Sequence, residues 1–281
     1  MSSQAVRAET ISYPRELSDA DLKAFQKLSK QVSGIELDDS KKLMVYSRFS
    51  KRIRTLGIPT FSEYLALVQN SGSKEMEFFI NTITTNLTYF FREHHHFEFL
   101  ASDAMPGVMN QRSSPPPARI WSAGCSLGAE PYSIALTLND AGYTPSTDYR
   151  ILCTDIDSDM VCHTANGVFS SDEIRGLSQA HQSTWFDKNS SGDLVAKPAI
   201  RQAMVCKLLN LFGVWPIRPG VDIIFCRNTL IYFTKPDQDR IVRGFGDVQS
   251  SGAYLFLGHS ESLRGMGDIY SRVSHTVYQR R

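Results

Sequence analysis

The chain is 281 residues long, room for two ordinary domains with buried cores. Lys and Arg total 30 against 29 Asp and Glu, a formal net charge of +1 at pH 7, which removes the global positive footprint of a protein that grips nucleic acid through its phosphates. Five cysteines (Cys125, Cys153, Cys162, Cys206, Cys226) form no C-x-x-C pair, and no stretch approaches the roughly 18 apolar residues of a membrane span, so the chain is expected to be cytoplasmic, with reduced and buried thiols and no membrane insertion.

After a polar leader (residues 1–17), Ser18 and Asp21 offer N-terminal capping, Leu22, Phe25, Leu28 and Val32 form an apolar stripe, and Gly34 ends a first helix. A second helix is predicted over about 39–56, with Leu43, Tyr46, Phe49 and Ile53 on one side, basic residues on the other, and Gly57 closing it. Thr60 and Glu63 make a capping box ahead of Phe61, Tyr64, Leu65 and Val68. A fourth helix over 74–84 carries Met76, Phe79, Ile80 and Ile83. Residues 15–90 therefore read as a small all-helical domain. Residues 91–118 read as a linker helix and a stiff connector, because Pro115, Pro116 and Pro117 cannot continue a helix.

Beyond the prolines, short apolar runs alternate with helical stretches. Strands are predicted at 119–123, 149–154, 221–226, 254–258 and near 274–279, with helices over about 130–141 and from 158. That alternation predicts an α/β domain over 119–281, a doubly wound, mostly parallel sheet with crossover helices. Residues 183–211 interrupt it. Ser190, Ser191 and Gly192 make a turn between β-like pieces around Trp185 and Val195, the pattern of a small antiparallel insertion.

Candidate site residues gather at strand ends. Gly124 and Gly128 follow the first strand, where glycine lets a backbone approach a ligand, although an ordinary tight turn has the same sequence. The two glycines do not make G-x-G-x-x-G, which argues against a dinucleotide and leaves no pyrophosphate cradle. Asp155, closing the second strand, is placed to accept hydrogen bonds from both hydroxyls of a ribose; the alternative is capping of the next helix, which Asp157 or Ser158 could also do. Glu130, followed by Pro131, either complements the dipole of its helix or binds a cationic amino group.

At this point the residues resemble a known family, the CheR chemotaxis receptor methyltransferases. The stretch from Thr84 to His94 with His96 and Phe97, the stretches 123–133 and 154–157, Phe225 to Phe233, and Gly258 to Leu263 follow that family's motifs in order, from Ser18 to the C-terminus. Leu87, Leu127 and Ala129 depart from its common residues. The resemblance implies a class I S-adenosylmethionine-dependent methyltransferase fold, a seven-stranded sheet with a small β-subdomain, preceded by a helical domain. It also implies methyl ester formation on glutamate side chains of chemotaxis receptors, with S-adenosylhomocysteine as product. Carried over by position, cofactor contacts fall on Asn86, Thr88, Arg92, Glu130, Asp155, Asn210, Leu211, Arg227 and Asn228, beside Gly124 from the glycine turn, and Arg92 and Tyr232 stand near the reacting carboxylate.

Lys41, Lys42, Arg48, Lys51, Arg52 and Arg54 form a basic run that either steers an acidic receptor bundle into place or is a solvated face. His94, His95 and His96 diverge by about 100° per residue on a helix, so three in a row do not converge on one ion; no metal is expected there, and the histidines read as surface and packing residues. The tryptophans read as core. A monomer is expected. Two competing readings are a methyltransferase of another substrate class, against which the segment after Cys226 lacks a Pro-Pro pair, and a receptor-binding adaptor without turnover.

Overall fold

The computed structural model describes residues 16–70, 73–111 and 117–281; most of the leader and most of the proline-rich connector lie outside them. The chain separates into two compact units, divided between Thr84 and Thr85.

The first unit is helical. α1 (Asp19–Ser33) begins in a reciprocal capping box between Ser18 and Asp21 and ends where Gly34 takes φ 78°. α2 (Lys42–Thr55) follows a 3₁₀ turn, Asp39–Lys41, capped by Asp38. α3 (Phe61–Asn70) starts behind the Thr60–Glu63 capping box, and α4 (Ser73–Ile83) completes the unit. Their apolar faces meet in an aromatic cluster in which the Phe25 ring lies 4.9 Å from Phe49, 5.7 Å from Phe79 and 6.0 Å from Phe61. Each such pair contributes about 0.5–1.5 kcal/mol beyond its area burial.

Two expectations for α2 are corrected. Leu43 is 76% exposed, while Val45 is fully buried: counting back from Ile53 and Phe49 in steps of four reaches 45, and residue 43 falls on the solvent side. The basic run is not one free face either. Arg52 Nε and Nη2 make a two-point bond to buried Glu75 at 3.0 and 2.6 Å, and Arg48 donates to the carbonyls of Thr82 and Thr84, where α4 runs out of intrahelical donors. Lys42 pairs with Asp19 at 2.7 Å, leaving Lys41, Lys51 and Arg54 as the exposed cations of the group.

The second unit opens with a nearly continuous helical rod: α5 (His95–Phe99), a π-helical turn (Leu100–Ala104) and α6 (Met105–Asn110). Then come β1 (Ala118–Ala123), α7 (Ala129–Asp140), β2 (Tyr149–Asp155), α8 (Ser158–Asn166), β3 (Val168–Phe169), α9 (Gln179–Trp185), β4 (Phe186–Lys188), β5 (Leu194–Ala196), α10 (Pro198–Arg201) and β6 (Met204–Leu208). β7 (Val221–Cys226), α11 (Lys235–Val248), β8 (Gln249–Leu257), β9 (Tyr270–Ser274) and β10 (Val277–Arg280) finish the chain. Among the described residues a seven-stranded sheet runs β6-β2-β1-β7-β8-β10-β9, parallel from β6 to β8, with the β9–β10 hairpin antiparallel at one edge. Beyond Arg119 and Asp222, β1 and β7 are buried on both faces, which explains why neither alternates apolar and polar residues there. Nine of the twelve residues of α7 are buried, as a helix needs when it is covered on more than one side.

The small sheet, β3-β5-β4, spans Val168 to Ala196, not 183–211. Met204–Leu208 belongs instead to the main sheet, where it lies parallel to β2 as the edge strand β6; its short apolar run carries no mark of the sheet it joins. The single expected last strand is a hairpin turning at His275 and Thr276. All five thiols are free, but Cys162 is exposed on α8 and Cys206 half-buried on β6, so not all are core cysteines as expected.

Candidate functional site

Four parallel strands, β6, β2, β1 and β7, end side by side, and their carboxyl ends carry the polar residues singled out by sequence. After β1 the chain turns at Gly124, with φ 92°, where an added Cβ would fall 2.5 Å from Thr229 Oγ1. Glycine is required there on both counts. The Gly124 and Cys125 N–H groups donate to the Thr154 carbonyl at 2.8 and 2.9 Å, folding the turn over the end of β2. Next, Ser126 at φ 50° donates its N–H to Asp155 Oδ2 at 2.8 Å, and its hydroxyl to the Asn86 carbonyl at 3.1 Å.

Asp155 is 8% exposed and accepts a second N–H, from Asp157, on Oδ1 at 3.0 Å. Burial pushes its carboxyl above the ordinary value, against the pull of those N–H groups. Helix capping falls to the neighbour: Asp157 Oδ1 accepts from Asp159 and Met160, while Oδ2 accepts from Asn86 Nδ2 at 2.8 Å. Asp155 is thus spared that task.

A second cluster centres on Arg227, directly after β7. Its guanidinium, 2% exposed, lies 3.2 Å from Glu93 Oε2 and 3.2 Å from Glu130 Oε2, and it donates to the Arg92 carbonyl. Glu130 Oε1 also accepts from Ser122 at 2.7 Å. Glu93 Oε1 receives Asn228 Nδ2 and the His259 N–H at 3.4 and 3.3 Å. The two carboxylates respond in opposite senses. Burial pushes both up; for Glu93 the Arg227 charge and the His259 N–H outweigh it and leave the pKa low, whereas Glu130 stays high despite Arg227 and Ser122. Nearby His96 contributes no compensating charge, because burial and the Arg227 charge drive its pKa down to about 2. One guanidinium therefore serves two acids, and the negative charge is under-compensated at Glu130. A cation delivered beside Glu130 would supply what is missing.

The loop beyond Arg227 is pinned by Glu261. Its carboxylate accepts four backbone N–H groups, from Asn228 (2.9 Å), Thr229 (2.9 Å), Ile231 (3.2 Å) and Gly258 (2.7 Å). Backbone strain gathers in the same place. Among the described residues six non-glycines have positive φ, and four of them, Phe91, Glu93, Ser126 and Asn228, belong to these loops. Each such residue costs on the order of 1–3 kcal/mol, and such clusters accompany functional sites.

The structure therefore brings Asn86, Gly124, Glu130, Asp155, Arg227 and Asn228 into two adjoining hydrogen-bonded clusters. Asn210 and Leu211 follow β6, tied in where Leu209 donates its N–H to the Asp155 carbonyl at 2.9 Å; Leu211 is buried and packs in the same core cluster as Trp121. Thr88 is half-buried on the segment between Asn86 and Arg92. The Arg92 guanidinium donates to the Leu87 carbonyl at 3.0 Å, while the neighbouring Glu93 is engaged with Arg227. Tyr232 ends a 3₁₀ turn, Leu230–Tyr232, on the loop that Glu261 holds. Ser122, Glu93 and Ser126 have no site role in the sequence reading, and Glu261 appears there only inside a motif. Their importance depends on partners between 8 and 135 positions away, which spacing does not disclose.

The family model described as CheR methyltransferase, SAM binding domain, matches residues 86–279, and the one described as CheR methyltransferase, all-alpha domain, matches residues 20–84. A chemotaxis protein methyltransferase from Klebsiella aerogenes is 39% identical, over 93% of this chain and 90% of its own. The chemotaxis protein methyltransferase of Escherichia coli is 37% identical over 93% of this chain and 91% of its own. A probable chemotaxis protein methyltransferase from Rhizobium etli is 36% identical over 88% and 94% respectively.

Proposed function

The chain belongs to the CheR methyltransferase family, and we propose that it transfers a methyl group from S-adenosylmethionine to glutamate side chains of chemotaxis receptors. The observation that carries the proposal is the pairing of a ribose acceptor with an ammonium acceptor at adjoining strand ends. Asp155 closes β2 with its capping duty taken by Asp157, and Glu130 lies buried with half an arginine for compensation. A nucleoside joined to an amino acid presents those two groups and no phosphate, and the glycine turn at Gly124 admits a ligand close to the backbone. Asn86, Thr88, Asn210, Leu211, Arg227 and Asn228 complete the binding surface in this reading, Arg227 by orienting Glu130 and Asn228 through its strained backbone.

S-adenosylmethionine supplies the methyl as an electrophile on a sulfonium. The accepting glutamate has a reference pKa of about 4.3 and is ionised at neutral pH, so no residue has to remove a proton. Alignment and exclusion of water remain for the protein to provide. Arg92 holds the incoming carboxylate and Tyr232 orients it by a hydrogen bond. Arg92 positions more than it accelerates, because a tight ion pair also stabilises the charge that the reaction removes. Receptor docking uses the exposed Lys41, Lys51 and Arg54, with Arg48 and Arg52 acting in the helical unit's own structure, and the small sheet β3-β5-β4 as a second contact. In this reading the enzyme works in the cytoplasm as a monomer.

The test is to incubate the protein with methyl-tritiated S-adenosylmethionine and membranes bearing chemotaxis receptors, and to treat the labelled protein with mild base. Label on a receptor-sized band, released as volatile methanol and lost with Arg92→Ala, is the expected result. Base-stable label would place the methyl on nitrogen, and absence of label despite donor binding would leave a receptor-binding adaptor.

A further inference from the structure

The adjacent run His94, His95, His96 does not converge on a point, but the fold assembles a different trio. His95 stands at the start of α5, His259 just past the end of β8, and His275 in the two-residue turn between β9 and β10. Each offers a ring nitrogen within 4.8 Å of the other two. The ring centroids are 4.9 Å apart for His95 and His259, 5.5 Å for His95 and His275, and 5.2 Å for His259 and His275. Three imidazoles bound tetrahedrally at about 2.1 Å would place their ring centres roughly 5 Å apart. The nitrogens would then be about 3.4 Å apart, a closure that falls to the exposed side chains of His259 and His275.

Three further features favour a ligand here. His95 Nε2 is buried and has no hydrogen-bond partner among the described residues, an orphan polar atom turned away from water. A carboxylate stands beside the trio: Glu93 Oε1 accepts the His259 backbone N–H at 3.3 Å, which fixes the His259 backbone, and Glu93 Oε2 lies 4.0 Å from His259 Nε2. Finally, the three residues sit on a helix start, a strand end and a hairpin turn, which restrains their backbones before any ion arrives.

We propose that His95, His259 and His275 form a binding site for a borderline divalent metal ion, zinc by preference, with a fourth position left for water. Imidazole ligands select zinc, nickel and copper over magnesium or calcium, and three of them match the ligand number of an open zinc site. The trio adjoins the Arg227 cluster through Glu93, and its test does not depend on methyl transfer.

Zinc is titrated into untagged full-length protein against a chromophoric chelator, and cobalt into parallel samples followed by visible absorption. The expected result is one equivalent of zinc bound, with His259→Ala/His275→Ala lowering the affinity at least 100-fold while the thermal transition stays in place, and tetrahedral cobalt bands that the double variant lacks. Absence of stoichiometric zinc binding by the wild-type chain overturns the proposal. So does unchanged affinity in the double variant, or loss of binding on Cys162→Ser alone.

Discussion

Each unit of the molecule pairs an arginine with buried carboxylate, and the two do it differently. In the helical unit Arg52 and Glu75 close on one another at 2.6 and 3.0 Å, and the bonded guanidinium holds the Glu75 carboxyl below its ordinary value against the opposing effect of burial. The charges match one to one. In the second unit Arg227 is shared by Glu93 and Glu130, the flanking backbone is held at positive φ, and Glu130 is left under-compensated. A pair that balances marks structure. A node that does not balance, held in strained loops at the ends of parallel strands, marks the place where something binds.

The largest test of this contrast is Glu261→Ala. Four backbone N–H groups lose their acceptor, and we expect a loss of about 3–5 kcal/mol from the second unit in urea titrations, together with loss of donor binding, because the same loop carries Asn228. Next comes Arg52→Ala, which strands Glu75. It should remove about 3 kcal/mol from the helical unit and leave donor affinity unchanged; a fall in affinity would mean that the two arginines are not doing different jobs.

A smaller effect is expected from pH. The folded-state pKa of His96 is lowered from 6.5 to about 2, by burial first and by the Arg227 charge next. The unfolded chain takes up that proton below about pH 6.5 and the folded one does not until about pH 2, so the contribution is complete above pH 6.5 and declines as pH falls. Relative to His96→Gln, the wild-type second unit should lose stability at up to about 1.4 kcal/mol per pH unit between pH 6 and 4. The raised carboxyls of Glu130, Asp155 and Glu261 act in the opposite sense in both proteins and cancel in the difference. For Glu75 the sign is that of a depressed acid: its contribution is present above the unfolded value near 4.5 and is lost below it, so acid reaches the helical pair later. Equal slopes in wild type and His96→Gln would contradict the assignment.

The smallest pair concerns α2. Val45→Ala should cost about 1–3 kcal/mol in chemical unfolding and Leu43→Ser less than 0.5, since Val45 is fully buried and Leu43 is 76% exposed. That pair also measures what the sequence could disclose. Helix ends were legible wherever a cap is local, as at Ser18, Gly34 and Thr60, because capping residue and helix lie within four positions of each other. The parallel strands were legible from apolar runs, and so were the positions of Gly124 and Asp155 at strand ends and of Glu130 at the start of a helix. What a strand pairs with is another matter. Met204–Leu208 has the composition of any short β-segment, and only its register against β2 makes it the sheet's edge. In the same way the use of Arg52 and Arg48, the sharing of Arg227 and the four bonds of Glu261 depend on residues distant in sequence, and a charge run looks alike whether its members face water or a buried carboxylate.

The most direct measurement of the site is a calorimetric titration of S-adenosylhomocysteine into the full chain and into Asp155→Ala, Glu130→Gln and Arg52→Ala. With the nucleoside held by Asp155 and the ammonium by Glu130, Asp155→Ala and Glu130→Gln should each weaken binding about 10- to 100-fold, the worth of one hydrogen bond to a charged group, while Arg52→Ala binds as the wild type does. Undiminished affinity in Asp155→Ala or Glu130→Gln would contradict this account of the site.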